Sequence, residues 1–259
     1  NPASASAPLV LATEAIGDGK RFADVTINLR RGEILGMAGL IGAGRTETAL
    51  GICGLAPLNS GRVLLDGRDV TPKSYSDSIA NGIVYLSEDR KGAGIFVDRP
   101  IDQNVSALDL SRISKLGLLL SHAKEQAQAG KLGAALNLKC GSLSDPVSTL
   151  SGGNQQKVAI AKMLSVKPKV IVLDEPTRGV DVGAKAEIHR ILRDLANEGT
   201  GIIAISSELP ELIGLCDRVV VIHEGRTAGE VSGETLTEEY IMHLASGLAG
   251  ERNTHGHHE

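Results

Sequence analysis

Tryptophan is absent from the 259 residues, and only three tyrosines and two phenylalanines occur. That scarcity removes the aromatic platforms on which the bases of single-stranded nucleic acids stack. It also leaves Val, Ile, Leu and Ala to build the core, as in parallel α/β proteins. A basic surplus is missing too: 27 Lys and Arg stand against 31 Asp and Glu, a net charge of −4. Charge and composition therefore both argue against a nucleic-acid partner. Cys53, Cys140 and Cys216 are odd in number and lack ligand spacing, so reduced thiols are expected rather than a disulfide framework or a metal site. No apolar run approaches the ~18 residues that cross a bilayer, and no basic-then-apolar signal pattern opens the chain, which reads as soluble.

What is present is a 42% hydrophobic chain, enough to bury a sizeable core. "NPASASAP", residues 1–8, has the composition of an extended or disordered linker and starts at Asn1, which suits a piece of a longer protein and equally suits N-terminal processing. Residues 249–259, with His255, His257 and His258, read as a solvated disordered tail rather than a metal site. Between them, 9–248 reads as one domain. "PLVLATEAI" and "VTINLRRGEILGMAGL" are β-type segments, the second running into a glycine loop followed by the helix-forming "RTETALGICGL". "GRVLLDGRDV" reads as a hairpin about Asp66-Gly67. A short helix stopped at Asn81-Gly82 precedes the strand "IVYLS", and about 92–152 reads as an inserted, mainly helical subdomain. "KVIVLDE" and "GIIAIS" are apolar runs of strand length, separated by a helix with Ile188, Ile191, Leu192 and Leu195 on one face. "DRVVVIHEGR" and a helix near 235–246 close the domain. Alternating strands and helices imply an α/β fold with a mainly parallel sheet.

"GLIGAGRTE" places Gly39, Gly42 and Gly44 between strand and helix, where a curled backbone can aim several N–H groups at a phosphate and the helix adds its positive end. Thr46 then offers a hydroxyl to Mg²⁺. Taken alone, such a loop has a tight turn as its lesser alternative. "KVIVLDEP" sets Asp174 and Glu175 at the carboxyl end of a buried strand, Asp174 within reach of a phosphate-bound Mg²⁺ and Glu175 suited to align a water, although any acidic loop after a strand looks similar. In "LSGGNQQKVAIAKML", Ser151 is expected as an N-cap with Gly152 and Gly153 exposing amides at a helix start, a second anion site if "SGG" is more than a flexible linker. "RGVDVGAK" puts Asp181 in the following short loop.

These features, in this order, resemble the nucleotide-binding domain of ABC transporters: a P-loop at 39–46 including Ala43, a signature at 150–155 including Gln155, a Walker B strand at 170–175 and a D-loop at Asp181. "GMAGLIGAGRTE", "GIVYLSEDRKGAG" and "ISSELPELIGLCDRVVVIHEGR" further resemble the second, C-terminal domain of the tandem ATPase subunits of bacterial simple-sugar importers of the ribose and galactoside group. The resemblance implies a P-loop ATPase with an antiparallel β flank, ATP and Mg²⁺ as cofactors, and attachment at the cytoplasmic side of the inner membrane. Its implied partners are an N-terminal ATPase domain of the same subunit, membrane permease subunits and, indirectly, a periplasmic sugar-binding protein. ABC sites are composite, so the chain's P-loop faces another domain's signature and its own signature completes that domain's site.

Three departures mark the chain's own site. The P-loop lysine is Arg45, whose broad guanidinium prefers planar bidentate partners and is expected to disturb the cradle. The usual glutamine is Glu88, an acceptor for Mg²⁺ or water or simply a surface acid, and the switch histidine is Ser207, too short to bridge a γ-phosphate and Glu175. An adenine-stacking aromatic is absent near Ile16, and Phe22 reads as core. The expected function is thus an ATPase domain with a degenerate P-loop site and a near-intact signature, weakly active alone. A regulatory nucleotide-binding module without turnover, and a soluble ABC ATPase outside transport, are the alternatives.

Overall fold

The computed structural model describes residues 6–115 and 119–248. Strand β1 (Leu9–Gly17) leads through β2 (Asn28–Arg30) and β3 (Ile34–Ala38) into helix α1 (Arg45–Ile52), followed by β4 (Ser60–Leu65), β5 (Arg68–Asp69), α2 (Tyr75–Asn81) and β6 (Ile83–Leu86). A π-helical turn at Arg90–Gly94 opens a helical stretch with α3 (Ile101–Ser106), α4 (Leu110–Ile113), the short strands β7 (Ser114–Lys115) and β8 (Leu119–Leu120), α5 (His122–Ala135) and α6 (Gly152–Leu164). The chain then alternates through β9 (Val170–Asp174), α7 (Val182–Asn197), β10 (Gly201–Ile205), α8 (Leu209–Leu215), β11 (Arg218–His223), β12 (Arg226–Ser232) and α9 (Glu238–Ala245).

The larger sheet runs β12-β11-β3-β10-β9-β6, parallel throughout except for β12. Every residue of β3, β6, β9 and β10 is buried, as strands covered on both faces require. Alternate side chains divide between two cores. Ile171, Leu173, Ile202 and Ala204 join Val105, Val158, Ile188 and Leu212 from the helices, whereas Val170, Val172, Ile203 and Ile205 pack with α1 and the flanking sheet. That flank is antiparallel, in the order β2-β1-β4-β5. The α/β fold with a mainly parallel sheet, antiparallel flank and helical region is therefore as the sequence implied. In α7 the anticipated stripe faces inward, with Ile188, Ile191 and Leu192 buried and Leu195 packed against the same core. Asp66 (φ 48°) and Gly67 (φ 76°) both adopt left-handed backbone in the β4–β5 hairpin, as a type I′ turn requires.

Several expectations need correction. "VTINLRRGEILGMAGL" is not one β segment but two, because β2 belongs to the flank and β3 to the parallel sheet. Glu33 stitches the break: its buried carboxylate accepts from the Arg30 N–H at 2.6 Å and pairs with Arg218 Nε at 2.5 Å. Ala7 and Pro8, placed in the linker, are tied down instead, their carbonyls accepting from Arg30 Nη1 at 3.0 Å and the Arg31 N–H at 2.9 Å. The helical region also holds the small β7–β8 pairing. Residues 1–5 of the linker and the tail from 249 onward, with its three histidines, lie outside the described residues.

Candidate functional site

The P-loop hangs between the end of β3 and the start of α1. Gly42 (φ 80°) and Gly44 (φ 98°) take left-handed backbone that other residues adopt only at a cost. At Gly39 a Cβ would stand 2.4 Å from the Ile222 carbonyl oxygen, so the loop is pressed against the end of β11. The Ala43 N–H donates to the Leu40 carbonyl at 3.0 Å, closing a turn that leaves Ile41 almost wholly exposed. First-turn amides of α1 have no intrahelical acceptor, and with the helix dipole they form an anion cradle. Arg45 opens α1 directly after this curl. Its half-buried guanidinium reaches across to donate from Nη1 to the Ser206 carbonyl at 3.0 Å, at the end of β10.

Asp174 closes β9 and is 1% exposed. Its Oδ2 accepts from Thr46 Oγ1 and from the Tyr85 hydroxyl, both at 2.9 Å, while Oδ1 is buried with no partner among the described residues. Burial pushes its pKa up, against the Thr46 and Tyr85 hydrogen bonds and the Arg45 charge. A buried carboxylate oxygen left unpaired beside a threonine hydroxyl fits a hard divalent cation, so Thr46 and Asp174 suit Mg²⁺. The sequence reading missed Tyr85. The available signal was a tyrosine within an aliphatic buried strand, whose hydroxyl must find a partner.

Glu175 takes left-handed backbone (φ 50°), with its N–H donating to the Ile205 carbonyl at 2.9 Å. Burial raises its carboxyl pKa, opposed by hydrogen bonds from Ser207 and by the Arg45 charge. Ser207, expected to be too short to bridge a γ-phosphate and Glu175, donates its N–H to Glu175 Oε1 at 2.7 Å, a main-chain contact that does not depend on side-chain length. Glu88 is ion-paired with Arg178 in the turn after Glu175, a partner that its place in the sequence did not reveal. Phe22 is buried in the flank core, as read, and Ile16 is buried there too.

The signature lies elsewhere. Ser151 occupies the N-cap position of α6, but its exposed hydroxyl makes no cap and accepts from Asn154 Nδ2 at 3.1 Å. Gly153 is buried so closely on α7 that a Cβ would stand 2.5 Å from Ala184 Cβ. Gln155 is turned inward, donating from Nε2 to the carbonyls of Leu150 at 3.1 Å and Val147 at 3.4 Å, so its amide braces the loop. Asp181 is the true cap here, its Oδ1 accepting from the Ala184 N–H at 3.0 Å. The structure thus gathers the P-loop, Asp174, Glu175, Ser207 and Arg45 in one cluster, and the Ser151–Gly153 turn with Val180 and Ala184 in another.

Two acidic residues at a strand end, a glycine cradle and a threonine hydroxyl bonded to the first acid have the chemistry to suit a phosphate and a cation, and the family profile described as "ABC transporter" matches residues 22–178. The chain belongs to the ABC transporter ATP-binding family. It is 62% identical over 246 residues to a ribose import ATP-binding protein RbsA of Ruegeria sp. (strain TM1040), covering 95% of this chain and 48% of that protein. A ribose import ATP-binding protein RbsA 2 of Rhizobium meliloti (strain 1021) is 58% identical over 245 residues, again with 95% and 48% covered. The chain therefore spans about half the length of these curated relatives. A solved nucleotide-free ATP-binding cassette from an ABC transporter superposes with a TM-score of 0.72 at 25% identity, covering 92% of this chain and 95% of that one. Among the described residues, no helix is long and apolar enough to cross a membrane. All three cysteines are free, with Cys53 and Cys216 buried and Cys140 half-buried.

Proposed function

We propose that this chain is the second ATP-binding half of the ATPase subunit of a ribose-type ABC importer, with a weak site of its own and a signature that serves its partner half. The observation that carries this reading is the pairing of a retained acid set with a diverted cation: Asp174 and Glu175 are in place, while the Arg45 guanidinium is spent on the Ser206 carbonyl. In the chain's own site, Gly39, Gly42, Ala43, Gly44, Arg45 and Thr46 hold the phosphates of ATP. Thr46 and Asp174 hold Mg²⁺, which supplies charge neutralisation for the phosphates. Glu175, fixed by Ser207, is the acceptor for a water proton, and Glu88 stays engaged with Arg178. Ser151, Gly152 and Gly153 face the partner half's nucleotide at the positive end of α6, with Asp181 holding the start of α7 beside them and Gln155 bracing the turn from behind.

The partners of this reading are the N-terminal ATPase domain of the same subunit, permease subunits on the cytoplasmic side of the inner membrane and, through them, a periplasmic sugar-binding protein. Names of the ribose import relatives support the substrate class. A regulatory module that binds nucleotide without turnover is the second reading, favoured by Arg45 on Ser206. Calorimetric titration of the chain with Mg-ATP, followed by single-turnover hydrolysis, tests both. Binding with turnover far below that of the two-domain protein is expected. An absence of binding contradicts the reading, and vigorous turnover by the chain alone contradicts the weak site.

A further inference from the structure

Glu211, on α8, is 5% exposed and is none of the candidate site residues named above. Its carboxylate is nevertheless heavily engaged beside the site. Oε1 accepts from Thr177 Oγ1 at 2.6 Å and lies 2.8 Å from His189 Nε2, while Oε2 accepts from Ser206 Oγ at 2.6 Å with Lys185 Nζ at 3.8 Å. Burial by itself raises its pKa, but the bonds from His189, Ser206 and Thr177 and the Lys185 charge outweigh that and bring it down to about 2.

The donors come from three segments that meet around Glu175. Ser206 gives its hydroxyl to Glu211 while its carbonyl holds Arg45 Nη1, and the next amide, Ser207 N–H, holds Glu175 Oε1. Thr177 stands two residues after Glu175, in the turn that runs on to Asp181. Lys185 and His189 lie on α7, the helix whose first turn abuts Gly153. A buried charge is a costly way to fill space, and apolar packing of the same volume serves the core as well. A carboxylate with three hydrogen-bond partners and an ammonium nearby does what apolar packing cannot, which is to fix the directions of hydroxyls on separate loops.

We propose that Glu211 is a positioning residue of the nucleotide site, bracing the loops on both sides of Glu175 and, through Ser206, setting where the Arg45 guanidinium lies. It touches no reacting atom. The proposal rests on the reading of this site as a nucleotide site, so its test has one arm that needs no nucleotide. In the first arm, ¹⁵N NMR of the Arg45 guanidinium is recorded in the wild-type chain and in Glu211→Gln, Ser206→Ala and Thr177→Val. The Nη signals should exchange slowly in the wild type and in Thr177→Val, and should collapse to those of a freely rotating arginine in Glu211→Gln and Ser206→Ala. Should Glu211→Gln fail to fold, Ser206→Ala alone decides this arm.

In the second arm, affinity for a fluorescent ATP analogue is measured across the cycle of Glu211→Gln with Arg45→Ala. Each change is expected to alter Kd by about fivefold and the double variant by no more than the larger single effect, the signature of two residues acting as one unit. Unchanged Arg45 signals, or strictly additive effects on affinity, overturn the proposal. If the wild-type chain binds no nucleotide, the functional reading fails, and the Arg45 signals still decide whether Glu211 positions that side chain.

Discussion

Arg45 acts on both carboxyls of the site. Its charge lowers the pKa of both Asp174 and Glu175, against the burial that raises each. Replacing it by alanine removes a cation acting on both carboxyls, so both should hold their protons to higher pH. Carbonyl-carbon NMR titration of Arg45→Ala measures this directly, and carboxyl midpoints that stay put or fall are inconsistent with the geometry. Tyr85 acts on the same acid from the other side. Tyr85→Phe takes away one of two donors to Asp174 Oδ2 in a buried setting, and a loss of about 1–3 kcal/mol in urea unfolding is expected.

Glu211 gives a pH signature with a definite sign. Its folded pKa, about 2, lies below the ordinary 4.5, so the stability it contributes is complete above about pH 4.5 and is lost as pH falls through about 2. The shift corresponds to about 3 kcal/mol over that window. Unfolding free energy of the wild type should fall more steeply between pH 4.5 and 2 than that of Glu211→Gln. Parallel curves for the two proteins would show that the carboxylate is no better stabilised in the fold than out of it.

At the scale of elements, the contact of α6 with α7 places the signature turn. Gly153 has no room for a side chain against Ala184, so Gly153→Ala must push the helix start away or strain the pair, at about 1–3 kcal/mol. A thermal midpoint equal to that of the wild type would mean that the two helices are not held at this spacing. Elements were legible in the sequence where one physical signal acted alone. The all-apolar runs of β9 and β10, the α7 stripe and the Asp66-Gly67 turn each follow from local pattern. The split between β2 and β3 was not legible, because it depends on Glu33 meeting Arg218, 185 residues away in the chain. In the site, the glycine loop, Thr46, Asp174 and Glu175 were readable from order and spacing. Glu88 with Arg178, Arg45 with Ser206, Tyr85 with Asp174 and the Glu211 cluster were not, since each joins groups that only the folded sheet brings together.

Across the whole molecule, the parallel sheet delivers its chemistry to one edge, while the signature turn presents a second, separate surface on α6. The proposed division of labour is that the first surface binds ATP weakly and the second completes a stronger site on the partner half. Gly153 is a poor place to test this, because any side chain there also disrupts packing. Ser151 is better: it is exposed at the N-cap position, where aspartate is at least as favourable as serine, so Ser151→Asp keeps the helix and only adds negative charge toward an approaching polyphosphate. The decisive measurement is steady-state ATP hydrolysis by the two-domain protein of the relatives' length, assembled with its permease, for Ser151→Asp and Glu175→Gln at equal expression. Ser151→Asp should lose most of the activity while Glu175→Gln keeps a substantial part of it. Loss in Glu175→Gln with near-normal hydrolysis in Ser151→Asp would contradict the account.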